Sequence, residues 1–117
     1  MNKQQLKDRT KKFAIEVIRM SEYLPATFLG NHIKGQLIRC SSSVAANYRA
    51  ACLAQSKAAY IAKLSIVIEE ADESEFWLEL IVENNLLSKD KICELMNESH
   101  EIASIFIASR KTLMHNK

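Results

Sequence analysis

The chain has 117 residues but only 2 Gly and 1 Pro, where ordinary usage would place roughly fourteen such residues. The turns of a β-sandwich or barrel and the glycine-rich loops of phosphate sites are excluded together. A hydrophobic fraction of 48%, a charged fraction of 26% and a net charge of +2 are those of a globular domain with no excess of either sign.

The first predicted helix covers about residues 3–24. Leu6, Phe13, Val17, Met20 and Leu24 recur at helical spacing on one face, and the lysines turn elsewhere. Pro25 is expected to stop this helix, because the residue before a proline is pushed out of the α region. Pro25 to Gly30 then reads as a connection. The basic N-terminus is followed by this amphipathic pattern and not by the solid apolar stretch of a signal peptide.

The second predicted helix runs from about 31 to 53, with a seam of Ile33, Leu37, Cys40, Val44, Tyr48 and Ala51. Beside it lies a run of small residues, 40–47. Serines form helices poorly, so their expected value is close approach of a neighbour, with hydroxyls returned to backbone carbonyls. Gln36, Ser43 and Asn47 share a half-buried flank, which predicts interhelical hydrogen bonds.

A third helix over about 56–83 is capped by Ser56. Its inner face is Tyr60, Leu64, Val67, Ala71, Trp77, Leu78 and Ile81, widened by Ile61, Ile68 and Phe76. Most of its acids line the outside. Glu70 shares a face with Val67, Ser74 and Trp77, so it points inward and needs a cation from Arg39 or Arg49. Asn84 and Asn85 suit a left-handed helix end. Ser88 then caps a fourth helix over about 88–113, with Asp90 in its first turn and Ile92, Leu95, Met96, Ile102, Ile105, Phe106 and Leu113 inside. Lys111, His115 and Lys117 fall at its end. Four helices joined by short loops predict an all-α, antiparallel, up-down-up-down four-helix bundle in one domain, 1–117.

Charge is unevenly distributed along the chain. Residues 1–57 hold ten Lys/Arg and three acids, whereas 58–117 hold six and eleven. Either the basic half meets an acidic partner, or the halves neutralise each other within a bundle or between subunits. Lys3, Lys7, Arg9, Lys11 and Lys12 form a basic patch that Lys34, Arg39 and Arg49 extend, the composition expected of phosphate contacts. With 7% aromatic residues, no stacking platform is evident.

Catalytic readings find little support. A di-iron bundle needs Glu-x-x-His motifs, and no glutamate here is followed three residues later by histidine. Cys40 and Cys93 read as packing residues. Three widely spaced cysteines (Cys40, Cys52, Cys93) suggest neither a disulfide framework nor a metal site, and point to a reduced cytoplasm. No apolar run approaches the roughly 18 residues of a membrane span. No catalytic residue, metal or cofactor is expected.

The run 36–81 closely resembles the bacterial family of 23S rRNA intervening-sequence proteins. Its specific parts are Gln36-Leu37-x-Arg39, Ser43-Val44-x-x-Asn47-Tyr48-Arg49-Ala50-Ala51, Glu69-Glu70-Ala71-Asp72-Glu73-Ser74 and Trp77-Leu78. The resemblance extends to residues 13–25 and 85–88. It implies a four-helix bundle without catalytic residues. Through the related accessory variability proteins of diversity-generating retroelements, it also implies a homopentamer that binds RNA or DNA, and a partner enzyme such as a reverse transcriptase. The motif residues Gln36, Arg39, Ser43, Asn47, Arg49, Glu70 and Glu73 are equally what a bundle needs to fix helix register, and that structural role is favoured over ligand contact. The two functions that follow are a non-enzymatic nucleic-acid-binding accessory protein and a protein-binding scaffold.

Overall fold

The computed structural model describes residues 1–116; Lys117, expected at the end of the last helix, lies outside them. Four helices follow in order: α1 (Lys3–Ser21), α2 (Phe28–Ala51), α3 (Lys57–Glu83) and α4 (Lys89–His115). They pack as an antiparallel four-helix bundle measuring 49 × 21 × 19 Å. No helix among the described residues is long and apolar enough to cross a membrane.

Each start has a local cause. Asn2 accepts from the Gln5 amide while the Gln5 side chain accepts from the Asn2 amide, a reciprocal cap that satisfies two orphan donors. Ser56 accepts from the Ala59 amide at α3. Ser88 occupies the corresponding position at α4, but its hydroxyl makes no capping bond. Asn85 takes the left-handed conformation, with φ of 54°, after α3.

The first connection differs from expectation. Helix α1 ends at Ser21, before Leu24, because the amides of Glu22, Tyr23 and Leu24 turn back to the carbonyls of Arg19, Met20 and Ser21. Helix α2 begins at Phe28, since Thr27 accepts from the Gly30 amide. Gly30 therefore lies in the first turn of α2 and not in a loop. A β-carbon there would sit 2.0 Å from the Pro25 carbonyl oxygen, so the absent side chain is what lets the connection fold so tightly.

The core contains the expected seams. Phe13, Val17, Ile33, Leu37, Val44, Leu64, Leu78, Ile81, Ile92, Leu95, Ile102 and Phe106 are fully buried. Tyr48 tilts against Phe106 with ring centroids 4.8 Å apart. Small residues fill the remaining width: Cys40, Ser41, Ala71, Ser74 and Ser99 are fully buried, with Ala103 beside them. Their hydroxyls mostly bond backward, as Ser74 does to the Glu70 carbonyl at 2.8 Å and to Cys40 Sγ at 3.2 Å. Two residues depart from the predicted faces. Phe76 is 49% exposed, and Cys93 is exposed and not a packing residue. Both sit on helices where a residue one position from the inner stripe turns by about 100°.

Neighbouring helices are unequally joined. The pairs α1–α2, α2–α3 and α3–α4 pack closely, whereas α1 and α4 touch sparsely. Ion pairs cross that seam: Arg9 donates to both carboxylate oxygens of Glu98 at 2.8 Å, with Glu101 at 3.1 Å, and Lys91 faces Glu16 at 3.4 Å. The two parallel bonds from one guanidinium to one carboxylate are the strong geometry for such a pair. They hold the Arg9 guanidinium well above its ordinary pKa, the Glu98 hydrogen bond being the main cause.

Candidate nucleic-acid interface

The eight cations singled out from the sequence separate into two groups. Arg9 belongs to Glu98 and Glu101. Arg39 belongs to Glu70 and Glu73, Lys34 to Glu22 at 3.0 Å, and Lys12 faces Glu16 at 3.9 Å. Lys3, Lys7, Lys11 and Arg49 make no ion pair among the described residues. A phosphate approaching the second group need not displace a carboxylate, so these four are the cations available to an anionic ligand.

Their positions follow from helix geometry. Lys7 and Lys11 are one turn apart on α1, and Arg49 reaches toward them from α2. Together they rim a groove of about 480 Å³ along the outer face of α1 and α2, floored by Ala14, Ile15, Ser42, Ala45 and Ala46. The small residues of α2 thus serve two surfaces: Cys40 and Ser41 are buried, while Ser42, Ala45 and Ala46 open to the groove. Lys3 stands at the start of α1, its ammonium 5.1 Å from the Tyr60 ring centroid. That distance suits a cation over an aromatic face.

The polar motif residues are arranged differently from the expected interhelical flank. Ser43 and Asn47 bond to each other within α2, Asn47 Nδ2 donating to the Ser43 carbonyl at 3.0 Å and to its hydroxyl at 2.8 Å. Gln36 accepts from Arg39 Nε at 3.2 Å. The charged link between α2 and α3 runs through Arg39: Nη1 donates to Glu70 at 3.0 Å and Nη2 to Glu73. Glu73 also accepts from Trp77 Nε1 at 3.0 Å. Arg49 lies away from this cluster, on the groove. At i and i+4, Ser43 and Asn47 already satisfy each other, so they have no need of a neighbouring helix.

An aromatic cluster adjoins Glu73, which composition could not reveal. Phe28 stacks on His32 with centroids 6.5 Å apart, and His32 meets the edge of Trp77 at 5.5 Å. Phe76 packs edge-on against Trp77 at 5.2 Å. Phe28 is 92% exposed. The sequence reading assigns Trp77 and Phe76 to the inner face of the third helix and Phe28 to the first connection, so no local pattern marks the cluster, and α2 and α3 had to pack before these rings met.

Cys40 is not poised as a nucleophile. Burial raises the Cys40 thiol above the ordinary range, the opposite of the depressed pKa that an attacking thiolate requires. Among the described residues, no group of three or more His, Cys, Asp or Glu could hold a metal ion.

Comparison with known proteins gives a consistent result. The profile described as 23S rRNA-intervening sequence protein matches residues 2–108. A crystal structure of a protein of unknown function from the S23 ribosomal protein family of Bacteroides thetaiotaomicron VPI-5482 superposes with a TM-score of 0.82 at 30% identity. The match covers 95% of this chain and 99% of that one. No curated protein sequence matches.

Proposed function

From the premise that the chain belongs to the 23S rRNA-intervening sequence protein family, we propose that it is a non-enzymatic, oligomeric accessory protein that binds RNA. The observation that carries this reading is that four of the eight cations singled out from the sequence, Lys3, Lys7, Lys11 and Arg49, make no ion pair among the described residues. Contacts from such groups to phosphates are largely independent of sequence and release counterions, which makes the affinity strongly salt-dependent. Free cysteines at 40, 52 and 93 suit a reducing cytoplasm.

The oligomer is a homopentamer by family resemblance. Its contacts are read as the basic first half of one copy against the acidic α3 of the next. Gln36, Arg39, Glu70 and Glu73 fix the register of α2 on α3 in this reading and do not touch the ligand. Titration of a fluorescent structured RNA with the full chain tests both parts. Four phosphate contacts predict a fall in affinity on the order of 50-fold between about 50 and 200 mM salt. Arg39→Ala lowers the melting temperature and leaves RNA affinity in place. Unchanged stability with lost binding would reverse that assignment.

A protein-docking scaffold is the second reading, favoured by the exposed Phe28 and Phe76 rings beside an acidic helix. Aromatic side chains of this kind are typical anchors at protein interfaces. Absence of RNA binding even at the lowest salt would leave this reading standing and remove the first.

A further inference from the structure

Charge that is divided between two halves of the sequence becomes, on folding, charge divided along the bundle axis. Neighbouring helices are antiparallel, so residues 1–10, 42–68 and 104–116 build one half of the 49 Å length. Tyr48 against Phe106 and Lys3 over Tyr60 mark their juxtaposition. This half carries eight Lys/Arg and a single acid, Asp8. Residues 11–41 and 69–103, which build the other half, carry seven Lys/Arg and thirteen acids. Four of the cations at the basic end, Lys57, Lys63, Arg110 and Lys111, come from the start of α3 and the end of α4. None of the four makes an ion pair among the described residues. Arg110 donates to the Ser65 hydroxyl at 3.1 Å and Lys57 to the Asn116 carbonyl, both neutral groups that leave the positive charge uncompensated.

We propose that this end of the bundle is the surface on which the RNA phosphate backbone lies, with Lys57, Lys63, Arg110 and Lys111 completing the patch begun by Lys3 and Lys7. The inference rests on the RNA-binding reading above and adds where the RNA sits and how the bundle is oriented. The acidic end points away from the nucleic acid, since like charge there repels phosphate. Lys3 and Lys57 flank a shallow cleft of about 750 Å³ whose walls include Tyr60, Ser109, Thr112 and Leu113. Two ammonium groups, two hydroxyls and an aromatic ring suit a phosphate with its sugar. The patch also descends the sides of the bundle. Lys63 is six residues beyond Lys57 on α3, about 9 Å down the axis, and Lys7 is one turn below Lys3. A backbone wrapping over a curved end can use that depth; a flat anionic lipid surface cannot.

The test compares two charge reversals of equal size in the full chain. Lys3→Glu with Lys57→Glu changes the basic end, and Lys89→Glu with Lys91→Glu changes the acidic end. Binding of a fluorescent RNA hairpin is followed across a salt series, with melting curves confirming the fold of each variant. The basic-end pair should weaken binding at least tenfold and flatten the salt dependence by about 1.5 in slope, the share of two phosphate contacts. The acidic-end pair should change affinity less than twofold. Equal losses from both pairs, or unchanged binding by the first, would overturn the placement while leaving RNA binding intact. No binding by the unaltered protein would overturn the RNA reading itself. Capture by vesicles of phosphatidylserine and phosphatidylcholine, lost with Lys3→Glu and Lys57→Glu and unmatched by RNA, would replace RNA with a lipid surface.

Discussion

Tyr48 shows how a single side chain can carry a cost that the sequence does not advertise. Its ring fills the centre of the bundle against Phe106, fully buried, and its hydroxyl has no hydrogen-bond partner among the described residues. A buried hydroxyl without a partner costs about 1–3 kcal/mol. Tyr48→Phe keeps the ring, removes the orphaned group and should raise the melting temperature by about 4 °C, the shift worth roughly 1 kcal/mol in a chain of this size. Burial, with Cys52 and Tyr60 nearby, also raises the phenol above its ordinary value of 10.0. The unfolded chain therefore loses this proton before the folded one does. Stability from this source is complete below about pH 10 and declines as pH rises further. Cys40, raised from 9.0 mainly by burial, acts in the same direction from about pH 9. Melting curves between pH 8 and 11 should show that decline, and Tyr48→Phe should lessen its upper part. A decline unchanged by the substitution would assign it elsewhere. Periodicity placed Tyr48 in the seam, but periodicity carries no information about what its oxygen meets.

At the scale of elements, the two glycines of α2 have opposite roles although they are only five residues apart. Gly30 faces the Pro25 carbonyl oxygen so closely that a methyl group would require the backbone to move. Gly35 has nothing within 4 Å of the same position. Gly30→Ala should therefore destabilise by about 2 kcal/mol or more, whereas Gly35→Ala should stabilise by about 0.5–1 kcal/mol through helix propensity and reduced unfolded-state entropy. Denaturant midpoints of the two variants check the pair, and equal shifts would refute the distinction. The sequence reading bracketed the connection with Pro25 and Gly30 and so placed α2 three residues late. Thr27 was an adequate capping residue in plain view, but Thr is also common in loops, and the bond to the Gly30 amide exists only once the chain has turned at Pro25. Gln36, Ser43 and Asn47 form the half-buried flank that their spacing predicts. Their partners lie within α2 and not on a neighbouring helix, a distinction that spacing cannot make because pairing within a helix and pairing across helices present the same sequence pattern.

For the whole molecule, the uneven charge along the chain has two consequences. Inside one bundle, Arg39 meets Glu70 and Glu73 on α3, and Arg9 meets Glu98 and Glu101 on α4, so some of the opposite charge is spent on closing the fold. The remainder is displayed outside, basic on the α1–α2 groove and acidic on the outer face of α3. In the proposed assembly, basic side chains of the first half that RNA does not engage would face the acidic α3 of the next copy, a head-to-tail contact that can close into a ring. Light scattering should give a mass five times that of the 13.3 kDa chain. High salt should weaken the assembly, because the screening length shrinks to about 3 Å near 1 M. A mass of one chain at micromolar concentration would remove the ring.

The sequence alone determined the fold class, the four helices and most of the buried seams, because helix is written locally in spacing and in the near absence of Gly and Pro. It also marked Arg39 and Arg49 as the two cations that could serve Glu70, through the helical face that Glu70 shares with Val67, Ser74 and Trp77. Only the tertiary structure chose Arg39, left Arg49 on a groove, and gathered Phe28, His32, Phe76 and Trp77 from two helices into one cluster. Only the tertiary structure brought Lys57, Lys63, Arg110 and Lys111 to the same end as Lys3 and Lys7. Each of these outcomes depends on distances between residues tens of positions apart, set by how antiparallel helices align along the bundle, and no local pattern encodes that alignment.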